Sequence, residues 1–344
     1  MKTFKRLKAL AIVSMLALAG LQMTASAAEP VGDNGVEKEK VWFDKSTDDI
    51  KLAGEMYLPK DFNENNKYQS IVVVHPGGGV KEQTAGIYAQ KLAEKGFVTL
   101  AFDAAYQGES EGTPRHLEDP ESRTEDIRSA VDYLTTRKFV DRDNIGALGI
   151  CAGGGYTVHA AETEARIKAV ATVSAVDSGR TRREGLGGTM TDESRNEMLR
   201  QIGEQRTIEA NGGPVKYIHY VPNSPEEIPQ GKNSDAFREY YEYYRTPRGQ
   251  HPRSENIYRF TSLDRMFGYT GFDHVDWISP RPLLMIVGSN AASKYLSEDA
   301  YKMAREPKEL YVIPGATHID LYDREQYVNP AVDKLSDFFH QYLK

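Results

Sequence analysis

Short apolar runs and segments of helical period alternate along most of this chain. VWFDKS (Val41 to Ser46) and IKLAGEMYLP (Ile50 to Pro59) flank the polar turn Thr47-Asp48-Asp49, which predicts a hairpin. SIVVVHP (Ser70 to Pro76), FVTLAFD (Phe97 to Asp103), IGALGI (Ile145 to Ile150) and IKAVATVSA (Ile167 to Ala175) are continuous apolar runs of strand length. That is the pattern of strands buried on both faces. Between them, TAGIYAQKLAEK (Thr84 to Lys95) and EDIRSAVDYLTTR (Glu125 to Arg137) repeat their apolar positions at helical spacing, and TVHAAETEA (Thr157 to Ala165) is helix-compatible. Strand, helix, strand and helix resume with RPLLMIVG (Arg281 to Gly288), SEDAYKMARE (Ser297 to Glu306), KELYVIPG (Lys308 to Gly315) and AVDKLSDFFHQYL (Ala331 to Leu343).

Successive strand–helix units predict an α/β protein whose mostly parallel sheet carries helices on both faces and is led by an antiparallel hairpin. The pattern breaks between about 178 and 277, a polar, tyrosine-rich stretch that includes REYYEYYRTPRGQHPRS (Arg238 to Ser254). A break of that length inside a compact sheet predicts an inserted helical cap.

The first residues change the picture of where the protein works. MKTFKRLK precedes a 13-residue apolar run (Ala9 to Leu21) and the small-residue site Ala25-Ser26-Ala27, the three parts of a secretory signal peptide. The run is shorter than the ~20 residues of a membrane span. We therefore expect cleavage after Ala27, a single domain over 28–344, and a periplasmic or secreted protein. Losing four basic and no acidic leader residues takes the formal charge from −7 to −11, a poor match for nucleic acid or an anionic membrane surface. With one cysteine in 344 residues, no internal disulfide forms.

That cysteine carries the candidate chemistry. In GICAGGG, Cys151 falls between an apolar strand and a following helix, with Gly149 and Gly153 in the spacing G-x-C-x-G. A sharp strand–nucleophile–helix turn needs small residues on both sides, and it sets the side chain beside the first amides of the helix. Alone, the pentapeptide equally suits a small buried filler, a common fate of free cysteine. His75-Pro76-Gly77-Gly78-Gly79 follows a buried strand directly and has the form of a loop that lends a backbone N–H to an oxyanion hole. Gly78 and Gly79 with the amide of Ala152 are the expected donors. His318, in GATHID after a late strand, has the chain position of a catalytic base. His75 reads as structural, and His159 as a packing or surface residue. No G-x-G-x-x-G and no H-E-x-x-H are present, so neither a dinucleotide cofactor nor a metal is expected.

Together HPGGGVKEQTAG, FDAAYQGESEG, GICAGGGY and EPKELYVIPGATHIDLYD resemble α/β-hydrolases of the dienelactone hydrolase-like group, in the branch related to fungal polyketide transferases. The resemblance covers roughly residues 40 to 344. It implies an eight-stranded sheet, with Cys151 as nucleophile and His318 as base. It departs at the triad acid, where Ser289-Asn290-Ala291-Ala292 stand instead of an aspartate. Asp177 at the end of the preceding strand is the preferred substitute. Asn290 and Glu298 are the alternatives. The expected activity is cleavage or transfer of an acyl group from a small ester, lactone or thioester, without cofactor. The alternatives are a hydrolase-fold binding protein with impaired catalysis and redox sensing by Cys151.

Overall fold

A computed structural model describes residues 29–31 and 34–344, so the leader expected at 1–27 lies outside the described residues. Nine strands form one sheet: β1 (Glu29–Val31), β2 (Val36–Asp44), β3 (Lys51–Leu58), β4 (Tyr68–Val74), β5 (Val98–Phe102), β6 (Val140–Ile150), β7 (Ile167–Val173), and, after the cap, β10 (Leu283–Gly288) and β11 (Lys308–Ile313). Their order is β1-β2-β3-β5-β4-β6-β7-β10-β11. The pairs from β1 to β5 are antiparallel, and those from β5 to β11 are parallel. Eight of the strands are the mostly parallel sheet that was expected; the ninth is the three-residue edge strand β1.

Alternation along β4 shows why the sheet needs two helical layers. Val72 and Val74 enter one core with the helices α2 (Pro120–Thr135) and α3 (Ala152–Thr163). Ile71 and Val73 enter the other, with α1 (Thr84–Ala93) and the C-terminal α10 (Glu325–Tyr342). All four β4 residues are fully or almost fully buried, so neither layer can be removed without exposing a continuous apolar face.

Three helices start earlier than their apolar period. Asp119 caps α2 by accepting from the amide of Glu121, with Pro120 in the first turn, five residues ahead of the predicted start. α10 runs through Pro330 rather than starting after it. α3 begins immediately after Cys151, so its first turn is built from Gly153, Gly154 and Gly155. Poor helix formers are there because nothing larger fits: a Cβ on Gly153 would lie 2.5 Å from the Val74 carbonyl oxygen, and one on Gly155 2.4 Å from that of Val176.

Between β7 and β10 the chain forms α4 (Ser178–Glu184), α5 (Asp192–Ala210), a ribbon of β8 (Tyr217–His219) and β9 (Ile257–Arg259), α6 (Ser234–Arg245) and α7 (Leu263–Gly268). This stretch has a small core of its own in Ile202, Tyr258, Phe260, Leu263 and Met266. Two of its tyrosines, Tyr243 and Tyr244, instead enter the core beneath the sheet and pack edge-on against Tyr322. The remaining helices are α8 (Lys294–Met303) and the single turn α9 (Asp320–Asp323). No helix of the described residues is long and apolar enough to cross a membrane.

Candidate active site

The chain leaves β4 toward β5 on one side and returns to place β6 on the other, so β4 and β6 flank a switch point, where open α/β sheets bind ligands. Their register pairs Val74 with Gly149, and the loop after β4 and the turn after β6 therefore emerge side by side.

Cys151 occupies that turn with φ 55° and ψ −123°, a conformation disfavoured for any residue with a Cβ. The surrounding structure holds it there. The Cys151 amide donates to the Val173 carbonyl at 3.0 Å, and its own carbonyl accepts from Gly154 at 2.9 Å and Val176 at 2.8 Å. Gly149 is required on the strand side, since a Cβ would sit 2.3 Å from the Gly153 oxygen.

Tyr322 and the amides of Ala152 and Gly77 stand beside the sulfur, on the wall of one cavity, and favour its thiolate. Burial pushes the thiol pKa up, and Tyr322, the two amides and the Arg123 charge, all of which would stabilise a thiolate, oppose the rise. Two amides converge on the sulfur from different loops, but one of them differs from the sequence expectation. Gly77, not Gly78 or Gly79, faces the sulfur. The Gly79 amide is spent in a turn on the Pro76 carbonyl at 3.1 Å. Gly78 has φ +70° and is clamped by the cap: its carbonyl accepts from Ser254 Oγ at 2.7 Å and the Tyr220 ring lies against its Cα, where a Cβ would meet Cδ2 at 2.6 Å.

His75 anchors this loop from below. Its Nε2 accepts from the Ala104 amide at 3.1 Å, its Nδ1 faces the Pro76 carbonyl at 2.6 Å, and the Arg123 guanidinium donates to its own carbonyl at 2.9 Å. Burial and Arg123 hold its imidazole pKa well below the ordinary value, so it is neutral and structural.

His318 is 1% exposed. Nδ1 lies 2.6 Å from Ser293 Oγ, and Nε2 lies 3.2 Å from the Tyr322 hydroxyl. The Tyr240 ring stands edge-on to the imidazole. Burial lowers the His318 pKa to about 3, so the resting site holds a neutral imidazole rather than one half of an ion pair.

None of the three expected acids orients His318. Asp177 spends its carboxylate as the cap of α4, accepting from Arg180 N at 2.9 Å, and on the Gly271 amide of the returning cap at 3.0 Å. Asn290 reaches the Gly315 carbonyl at 3.2 Å, and Glu298 pairs with Lys294 at 3.1 Å. Ser293, just after the stretch where an acid was sought, takes the position instead. A hydroxyl carries no charge, so a search for carboxylates and amides passed it by. Tyr322, in HIDLY four residues beyond His318, was also missed; that i, i+4 spacing was the available signal.

The sulfur opens into a cavity of about 360 Å³. Its walls are mostly apolar and come largely from the cap, with Leu186, Met190, Met198, Phe237, Leu263 and Phe267 among them. Of the described residues lining it, only Arg182 carries a charge. Away from this site, Glu82, Asp103 and Glu109 converge, but the Lys81 ammonium occupies their centre at 2.6, 2.9 and 2.7 Å.

A strained strand–turn–helix elbow, a glycine loop with an inward amide and a late histidine, all at the carboxyl edge of a mostly parallel sheet, define an α/β-hydrolase. The chain belongs to the dienelactone hydrolase family, which residues 53–176 match. It is 43% identical over 295 residues to the uncharacterized protein YcjY of Escherichia coli, covering 86% of this chain and 95% of that one. The hypothetical protein PA2218 of Pseudomonas aeruginosa is 40% identical, and its crystal structure superposes with a TM-score of 0.84 over 92% of this chain and 96% of that one. Polyketide transferase GrgF of a Penicillium species is 26% identical over 270 residues, 77% of this chain and 86% of that one.

Proposed function

We propose that this is an exported acyl-transfer enzyme in which Cys151 attacks the carbonyl of an ester, lactone or thioester. The reading is carried by Cys151, held on a strained turn beside two backbone amides and lining a mostly apolar cavity. Attack forms the S–C bond and moves charge onto the carbonyl oxygen, which the amides of Gly77 and Ala152 are placed to bind; one such donor is worth about 10²–10³ in rate. His318 takes the thiol proton and returns it to the leaving group. Water then resolves the thioester in a hydrolase, or another nucleophile in a transferase. The name of the related polyketide transferase supports the second outcome, as do the mostly apolar cavity walls around the sulfur.

Incubation with 4-nitrophenyl hexanoate tests this. The expected result is a stoichiometric burst of nitrophenolate and a mass increase on the Cys151 peptide, both absent in Cys151→Ala. The rival reading, a hydrolase-fold binding protein with impaired catalysis, is favoured by the missing carboxylate behind His318. It predicts ligand binding without a burst.

A further inference from the structure

His318 has no direct path to the cavity. It is 1% exposed and is not among the residues lining the cavity, whereas Tyr322 is. The Tyr322 hydroxyl lies 3.2 Å from His318 Nε2, and Tyr322 lines the cavity together with Cys151 and Tyr244, whose thiol and phenol it influences electrostatically. A phenol has one proton to donate and two lone pairs to accept with. Those capacities match the surroundings when Tyr322 donates to Nε2 and accepts from the Cys151 S–H and the Tyr244 O–H. The imidazole then carries its proton on Nδ1 and donates it to Ser293 Oγ at 2.6 Å. The Tyr322 ring is locked by edge-on packing against Tyr243 and Tyr244 and is 1% exposed, so the hydroxyl is fixed between its partners.

We infer that the Tyr322 hydroxyl carries the proton between Cys151 and His318, so that the reacting set is Cys–Tyr–His rather than Cys–His. As the sulfur–carbon bond forms, the S–H bond breaks and its proton passes to the Tyr322 oxygen. The Tyr322 proton passes in the same step to His318 Nε2. The products are an oxyanion in the Gly77–Ala152 cradle and an imidazolium donating to Ser293. When the carbon–leaving-group bond breaks, the chain runs backward and the hydroxyl of Tyr322, a residue that lines the cavity, protonates the departing atom. Tyr322 is thereby a catalytic residue, and Ser293 a positioning residue that fixes the tautomer.

This rests on the acyl-transfer reading, but proton removal from Cys151 is measurable without any acyl substrate. The rate of Cys151 alkylation by iodoacetamide at neutral pH is compared in the wild type, Tyr322→Phe, His318→Gln and the double variant, each checked for an unchanged melting temperature. The relay predicts that each single variant slows alkylation about tenfold or more, and that the double variant is no slower than either, because both remove links of one chain. With 4-nitrophenyl hexanoate, Tyr322→Phe loses about 100-fold in kcat/KM with little change in KM. Wild-type acylation in mixed light and heavy water gives a curved dependence from two protons in motion. An unaffected Tyr322→Phe, additive losses in the double variant or a linear dependence overturns the relay. A wild type that alkylates as predicted yet forms no acyl-Cys151 overturns the acyl-transfer reading and leaves the relay standing.

Discussion

Ser293 Oγ lies 2.6 Å from Nδ1 of His318, where most enzymes of this fold set a carboxylate. A hydroxyl orients the ring and fixes its tautomer, but supplies no charge to balance an imidazolium. That is why burial alone holds the His318 pKa at about 3.

Replacing that hydroxyl with a carboxylate should therefore change the pH profile. In the wild type, kcat/KM has no acid limb from His318 near its ordinary pKa of about 6.5, because the imidazole stays neutral down to the strongly acidic range. Ser293→Asp places an anion against Nδ1 and stabilises the protonated ring, so His318 titrates at higher pH and activity falls as pH drops through that value. Ser293→Ala keeps the low pKa and loses about tenfold in kcat through a freer ring. A Ser293→Asp profile that superposes on the wild type contradicts this account.

The same depressed pKa bears on stability. Unfolded His318 binds a proton near pH 6.5, while the folded one does so only near 3, so acidification between these values favours the unfolded chain. Its contribution reaches about 1.4 kcal/mol per pH unit. His75 acts in the same direction, whereas buried Asp126, with its pKa raised to about 6, gains its proton more readily when folded and opposes both histidines. The difference between wild type and His318→Gln isolates one group. Chemical denaturation along a pH series should show the wild type losing more stability than the variant as pH falls below about 6.5.

How far the site was legible in the sequence follows from what kind of signal each residue leaves. Strands buried on both faces write uninterrupted apolar runs, so β4, β5, β6 and β7 were legible, and so was the order that brings HPGGG beside GICAGGG. Cys151 and His318 stood out as candidates because a turn between glycines and a histidine after a late strand are local patterns. Which of the Gly77, Gly78 and Gly79 amides turns inward is decided by the local Gly79-to-Pro76 turn and by the Tyr220 ring, more than a hundred residues along the chain from Gly78. Asp177 was legible as a carboxylate at the right sheet edge, but the Arg180 and Gly271 amides claim it. The starts of α2 and α10 were late because capping residues and an internal proline hide them from an apolar count.

The glycine turn itself is testable. Gly153→Ala drives a methyl group into two backbone oxygens, those of Val74 at 2.5 Å and His75 at 2.6 Å, neither of which can swing aside as a side chain does. Overpacking of this kind costs about 1–3 kcal/mol and often more. The expected result is a melting temperature lowered by several degrees and an acylation rate reduced with it, since the displaced strands carry both oxyanion loops. Gly188→Ala, whose Cβ meets nothing within 4 Å, is the comparison, although its φ of +76° carries a smaller backbone penalty.

Ser254, far along the chain between β7 and β10, donates to the Gly78 carbonyl in the glycine loop after β4 at 2.7 Å. Ser254→Ala removes that tie while leaving the Gly77 amide chemically intact. Loosening a donor costs more in the transition state than in binding. A fall in kcat of about tenfold with KM within about twofold is expected from steady-state ester hydrolysis. An equal rise in KM at constant kcat would place Ser254 in substrate binding instead.

The cavity sets the last prediction. Its space of about 360 Å³ is walled by flexible methionines, Met190, Met198 and Met266, with aromatic rings between them. That space holds several water-sized groups, so an acyl chain of several carbons fits. Along a series of 4-nitrophenyl esters from acetyl to dodecanoyl, kcat/KM should climb as each methylene leaves water, at about 0.8 kcal/mol apiece, until the cavity is full. Met198→Trp adds a bicyclic ring to one wall and should shift the best chain length downward, lowering kcat/KM for the longest esters about tenfold or more while acetyl ester turnover stays within about twofold. A flat dependence on chain length in the wild type would mean that the acyl group does not enter this cavity.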